Sequence, residues 1–130
     1  MRFLSVMPNL YCADVDRTAA FYCDLLGGTQ TFRTPADGPA EHVELRIGDV
    51  VVALTSRDAV PRQGLPEPAA GHPMELVLGC ESADDAVAAL RAAGTPVLVE
   101  PYSHASGHRR AYVADPDGNW IAITSKEPPS

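Results

Sequence analysis

Two kinds of hydrophobic periodicity alternate along the chain and divide it into elements. From Phe3 to Ala13 the period is two. Leu4, Val6, Pro8, Leu10 and Cys12 share one side, and Phe3, Ser5, Met7, Asn9 and Tyr11 the other, which predicts a strand. From Val15 to Leu26 the spacing turns helical. Thr18, Phe21, Tyr22 and Leu25 lie on one stripe, Asp14 is placed to cap the N-terminus, Asp16 complements the dipole, and Gly27-Gly28 stops the helix. Thr29 to Arg33 reads as a strand and Pro35 to Pro39 as a loop. His42 to Ile47 alternates again, Gly48-Asp49 makes a tight turn, and Val50 to Ser56 is a further strand. Residues 1–56 therefore predict a first βαβββ module.

Residues 57–73 break the pattern with Pro61, Pro66, Pro68, Pro73, Gly64 and Gly71, the composition of an extended, semi-rigid linker. Residues 74–126 then repeat the order. Met74 to Cys80 is a strand, Ser82 a cap, Ala83 to Ala93 a helix with Ala86, Val87 and Leu90 facing inward, and Pro96 to Glu100 a strand. Pro101 to Gly107 reads as a loop. Ala111 to Ala114 and Trp120 to Ser125 form a hairpin closed by Asp115-Pro116-Asp117-Gly118-Asn119, where proline presets φ and Asp-Gly tolerates a positive one. Residues 127–130 are a tail. Ala122-Ile123-Thr124-Ser125-Lys126 echoes Ala53-Leu54-Thr55-Ser56-Arg57 at an offset of 69, and Glu81 to Gly94 echoes Asp14 to Gly27 at 67. Two echoes in the same order indicate an internal duplication. The predicted class is α+β, with curved mixed sheets whose helix-free faces enclose a concave cavity.

Composition narrows the partners more than the fold. A net charge of −7 disfavours nucleic acid and anionic membrane and mildly favours a cationic ligand. No run reaches a membrane span, and the opening residues lack a signal-peptide pattern, so a cytoplasmic location is expected. Cys12, Cys23 and Cys80 have no CxxC spacing and read as buried thiols. His42, His72, His104 and His108 include one i, i+4 pair, but it lies in a Ser/Gly-rich loop. These side chains are expected to be solvated loop histidines rather than a helical metal site.

The paired modules, Asp14-Val15-Asp16-Arg17 leading to Phe21-Tyr22 and Leu26-Gly27, Ala83 to Leu90 with Ala93-Gly94, and the closing Asp115 to Asn119 turn together resemble the vicinal-oxygen-chelate superfamily of glyoxalases, extradiol dioxygenases, fosfomycin-modifying enzymes and bleomycin-resistance proteins. The resemblance implies that metal-using relatives draw one ligand from the first and one from the last strand of each module. Those positions here are Met7, Ala53, Glu75 and Ala122, with one oxygen donor among them. A catalytic divalent ion takes three or more protein donors, so no metal and no other cofactor is expected.

The expected site is then a small-molecule pocket formed by Trp120, Tyr11, Asn9, Glu75, Met7, Ala53, Ala122 and Thr124, with Tyr102 and His108 from the late loop. The indole is its stacking platform, and the alanines leave room. The resemblance to the bleomycin-resistance branch implies sequestration of a planar or cationic antibiotic-type ligand by a homodimer with shared cavities. Trp120 filling the barrel mouth, or Glu75 paired with Arg109 or Arg110, would be structural roles instead. Two enzyme readings compete. One is a metal-free isomerase, cyclase or lyase with Glu75 as general base. The other is a glyoxalase-type metalloenzyme with ligands recruited from His42 or His108.

Overall fold

The computed structural model describes residues 1–127, so Pro128 to Ser130 of the expected tail lie outside the described residues. The chain forms two compact units, Met1–Ala70 and Gly71–Ser130. Each is a four-stranded mixed sheet with one helix. In the first, β1 (Asn9–Cys12), α1 (Val15–Asp24), β2 (Thr29–Thr34), β3 (His42–Ile47) and β4 (Val50–Ser56) give the strand order β1-β4-β3-β2. In the second, β5 (Leu76–Gly79), α2 (Ala83–Ala92), β6 (Val97–Ser103), β7 (His108–Ala114) and β8 (Trp120–Lys126) give β5-β8-β7-β6. In both sheets the first strand runs parallel to the last, and the other pairs are antiparallel.

Sequence and physics agree on why each helix begins where it does. The Asp14 carboxylate accepts the Arg17 amide at 3.1 Å, and the Ser82 hydroxyl accepts the Asp85 amide at 3.1 Å. Each satisfies an N–H that a helix start leaves without a partner. The caps sit 68 residues apart (82 − 14), so the structural repeat in the helices is one residue longer than the echo of 67. The α1 stripe is Val15, Thr18, Ala19 and Tyr22. Phe21 is only half-buried, and Leu25 lies beyond the helix on the surface.

Each helix covers one sheet face. In the first unit that face is Leu10, Cys12, Val43, Leu45, Val52 and Leu54, all buried. In the second, Val87 and Leu90 of α2 join Ala111, Val113, Ile121 and Ile123. The face away from the helix carries the opposite set of each alternation.

Four expectations about extents need correcting. The first strand begins at Asn9, not Phe3; Pro8 has no N–H to give a ladder, although its carbonyl still accepts the Ala53 amide at 2.8 Å. Phe3, Leu4 and Val6 are correspondingly exposed. Likewise β5 begins at Leu76, opposite Ile121, because β8 itself starts only one residue earlier. Residues 57–73 are not simply extended. They contain short 3-10 turns at Arg57–Ala59 and Pro61–Gln63, and Ala59 and Val60 are buried. Finally, β6 continues through Pro101 to Ser103, and β7 starts at His108, leaving a tight turn where a seven-residue loop was expected.

Asp16 ties α1 to the loop after β2. It accepts the Ala40 amide at 2.9 Å and pairs with Arg33. The Arg33 hydrogen bond first, then the Ala40 amide, hold its carboxyl below its ordinary value of 3.8. Because the folded value lies below the unfolded one, this stabilisation is present above about 3.8 and is lost as pH falls through the depressed value. Acid titration of Asp16→Asn by circular dichroism should show a variant less stable than the parent at neutral pH, with the gap closing as pH falls below about 4.

Candidate functional site

On the helix-free face of the first unit, register places Asn9 beside Ala53, Ala53 beside Glu44, and Thr55 beside both Tyr11 and His42. A chain of polar contacts joins four of these. The Thr55 hydroxyl donates to Asn9 Oδ1 at 2.8 Å, His42 Nδ1 meets the same hydroxyl at 2.9 Å, and His42 Nε2 meets Glu44 Oε2 at 2.9 Å. A hydroxyl has one proton, so Thr55 gives it to Asn9 and accepts from Nδ1. In that orientation the ring donates at both ends, to Thr55 and to Glu44. Turning the Asn9 amide over would reverse the two bonds at Thr55 and leave Nε2 donating to Glu44 as before, so the Asn9 orientation and the donor or acceptor role of Nδ1 are coupled.

The order Thr-His-Glu resembles a nucleophile, base and orienting acid. Thr55, however, is only 3 % exposed, and both ring nitrogens are engaged, so these three side chains do not present a nucleophile to a substrate. His42 is a half-buried strand residue rather than a solvated loop histidine. The i, i+2 spacing of His42 and Glu44 on β3 was the available signal.

The helix-free face of the second unit holds a different cluster. Arg110 on β7 lies between Tyr102 of β6 and Thr124 of β8. Its Nη1 donates to the Tyr112 hydroxyl at 3.1 Å, and its guanidinium carbon sits 5.9 Å from that ring's centroid. Glu75, half-buried just before β5, faces Arg110 electrostatically without a salt-bridge contact among the described residues. Of the two arginines weighed as partners for Glu75, Arg109 is engaged elsewhere: its Nη2 bonds Asp84 at 2.8 Å.

Trp120 is 40 % exposed and lies flat against His72, with centroids 4.2 Å apart and planes 3° from parallel. His72 is held there by a 3.1 Å bond to the Gly118 carbonyl. One indole face is therefore already covered, by a residue from the stretch read as linker.

The remaining expected site residues divide. Ala53 and Ala122 are wholly buried, so they are floor rather than open room. Met7 is 40 % exposed ahead of β1. Thr124 donates to the Leu78 carbonyl at 3.3 Å. Tyr102 is exposed, and His108 lines an open depression of about 400 Å³ with Gly79, Cys80, Glu81, Thr124, Ser125 and Lys126. Cys12 is buried, Cys23 half-buried and Cys80 exposed, against the expectation that all three are buried. None is in a disulfide. Desolvation pushes the Cys23 and Cys80 thiols up, away from thiolate chemistry.

The ligand positions implied by the resemblance supply one carboxylate, two methyl groups and a thioether. That donor set does not fit a divalent ion. Among the described residues no three His, Cys, Asp or Glu side chains gather as a metal site, His42 and His108 included.

The sequence model of the Glyoxalase/Bleomycin resistance protein/Dioxygenase superfamily matches residues 2–123. The chain belongs to that superfamily. Among solved structures, it is similar to a glyoxalase/bleomycin resistance protein/dioxygenase family enzyme from Burkholderia phytofirmans PsJN, at 20 % identity and TM-score 0.82 over 93 % of this chain and 97 % of that one. TioX from Micromonospora sp. ML1 matches at 22 % identity and TM-score 0.75 over 96 % and 100 %. The fosfomycin resistance protein FosX from Listeria monocytogenes matches at 13 % and 0.73 over 98 % and 96 %. At these identities the likeness is one of fold. No curated protein sequence matches. The superfamily holds resistance proteins and enzymes alike, so its fold alone does not choose between them. No described helix is long and apolar enough to cross a membrane.

Proposed function

We propose that this chain is a metal-independent binding protein for a planar small molecule, protecting its host from an antibiotic-type compound by sequestration. The observation that carries the reading is chemical. At the two final-strand positions from which metal-using relatives would coordinate an ion, Ala53 and Ala122 present methyl groups flush with the sheet. The half-exposed indole of Trp120 supports it, because one of its faces already stacks on the flat ring of His72. A ligand replacing His72 would exchange one stack for a larger one, worth about 0.5–1.5 kcal/mol beyond burial. A cytoplasmic homodimer belongs to the same reading, supported by the exposed apolar side chains of Phe3, Leu4 and Val6, which invite burial.

Titration calorimetry against a panel of quinoline and intercalating antibiotics tests this. Binding is expected to survive exhaustive chelation and to weaken about tenfold in Trp120→Ala, the loss of one buried aromatic contact. Silence across the panel, or affinity that vanishes with chelator, would sink the proposal.

A metal-free isomerase, cyclase or lyase is the second reading, and one observation favours it. Arg110, which donates to the Tyr112 hydroxyl, interacts electrostatically with Glu75 and is the kind of group that a general base needs near a developing oxyanion. A Glu75→Gln variant that loses turnover but keeps affinity would select it.

A further inference from the structure

Four arginines are half-buried, and three of them have an oxygen partner that answers their charge. Arg33 pairs with Asp16, Arg109 with Asp84, and Arg57 donates to the Pro68 carbonyl at 2.7 Å. Arg110 differs. Among the described residues its side chain donates to the Tyr112 hydroxyl, and its Nε–H is buried with no acceptor. A guanidinium carries five N–H donors, and a buried donor without a partner destabilises the fold that holds it. The protein keeps that cation in the middle of a sheet face, beside Tyr112 and within one strand of Tyr102 and Thr124.

We infer that Arg110 is the anchor for an oxyanion carried by the planar ligand, a carboxylate or an ionised enol or phenol, which reverses the cationic preference suggested by the net charge. The inference rests on the ligand-binding reading above and adds the chemical class of its ligand. Planar oxyanions match a guanidinium fork in a way that a point cation on Glu75 does not. The Tyr112 hydrogen bond fixes the guanidinium plane, and it leads the influences that push Arg110 further up, so the anchor stays charged at any working pH.

The overall charge of −7 does not oppose this, because charges beyond about 8–10 Å are screened at physiological salt and the contact pair decides. Glu75 is then the competitor. It faces the same cation and must yield when an anionic ligand arrives, so it sets a threshold that weak anions do not pass.

Three naphthalene probes of one shape separate the possibilities: 2-naphthoate, neutral 2-naphthamide and 2-naphthylmethylammonium, each titrated by Trp120 fluorescence and calorimetry. The expected order places naphthoate about tenfold tighter than naphthamide, as a charge-assisted hydrogen bond warrants, with the ammonium weakest. Arg110→Gln should erase the naphthoate advantage while leaving naphthamide binding in place, and Arg110→Lys should keep part of it. Glu75→Gln should raise naphthoate affinity. Equal binding of naphthoate and naphthamide, or tightest binding of the ammonium, overturns the oxyanion anchor and leaves the binding protein standing. Failure of all three probes to bind overturns both.

Discussion

Replacing Asp115 with alanine is expected to cost about 3 kcal/mol of folding stability, because hydrogen bonds to a buried charge are worth about 1.5–3 kcal/mol each and do not add fully. Asp115 is 3 % exposed. Its Oδ1 accepts the Asp117 and Asn119 amides and its Oδ2 the Asn119 side chain, each at 2.9 Å. Its own amide donates to the Asn119 carbonyl at 3.0 Å, and its carbonyl accepts the Gly118 amide at 2.9 Å. The half-exposed donors regain water in the variant, which keeps the loss below the sum of three bonds. Asp115→Asn retains one acceptor oxygen and should lose about half as much. Urea denaturation followed by Trp120 fluorescence measures both. A cost below about 1 kcal/mol for the alanine variant would mean that proline and glycine alone hold the turn.

That clamp marks where sequence reading stops. Pro116 and Asp117-Gly118 announce a turn through backbone preference, and Gly118 has the positive φ of 81° that they require. What Asp115 does inside the turn depends on which amides converge on it, and no periodicity encodes that. Elements were legible in the same way. Their existence and order follow from periods of 2 and 3.6, whereas their ends follow from partners. Pro101 reads as a loop signal, yet it lies in an edge strand at a register shift, where a missing N–H costs no ladder bond.

The site shows the same division. Faces were readable from alternation, so Asn9, Tyr11, Ala53, Ala122, Thr124 and Trp120 fall on the helix-free faces as expected. Arg110 was visible only as a possible mate for Glu75, because the Ser/Gly-rich stretch before it reads as a loop and hides the alternation of His108, Arg110 and Tyr112. The His72–Trp120 stack joins residues 48 apart (120 − 72) through a Pro/Gly-rich segment, where local pattern carries no signal.

Equivalent deletions in the two units are expected to cost nearly the same, about 3 kcal/mol each for Leu54→Ala and Ile123→Ala, since both remove most of a buried aliphatic side chain. The two residues occupy corresponding positions in the echo, are 0 % and 3 % exposed, and sit on the strand paired in parallel with the first of each unit. Chemical denaturation with probes in each unit measures the pair, and a difference above about 2 kcal/mol would argue that the duplicated cores are not equivalent. One residue further on, the equivalence should fail. Thr55 links Asn9 to His42, whereas Thr124 makes a single 3.3 Å bond to the Leu78 carbonyl. Thr55→Val strands two polar partners and should cost about 1–2 kcal/mol more than Thr124→Val. Equal cores beneath unequal faces are what a duplicated fold yields when helix packing constrains only one side of each sheet: the other side carries a polar chain around His42 in the first unit and Arg110 beside Tyr112 in the second.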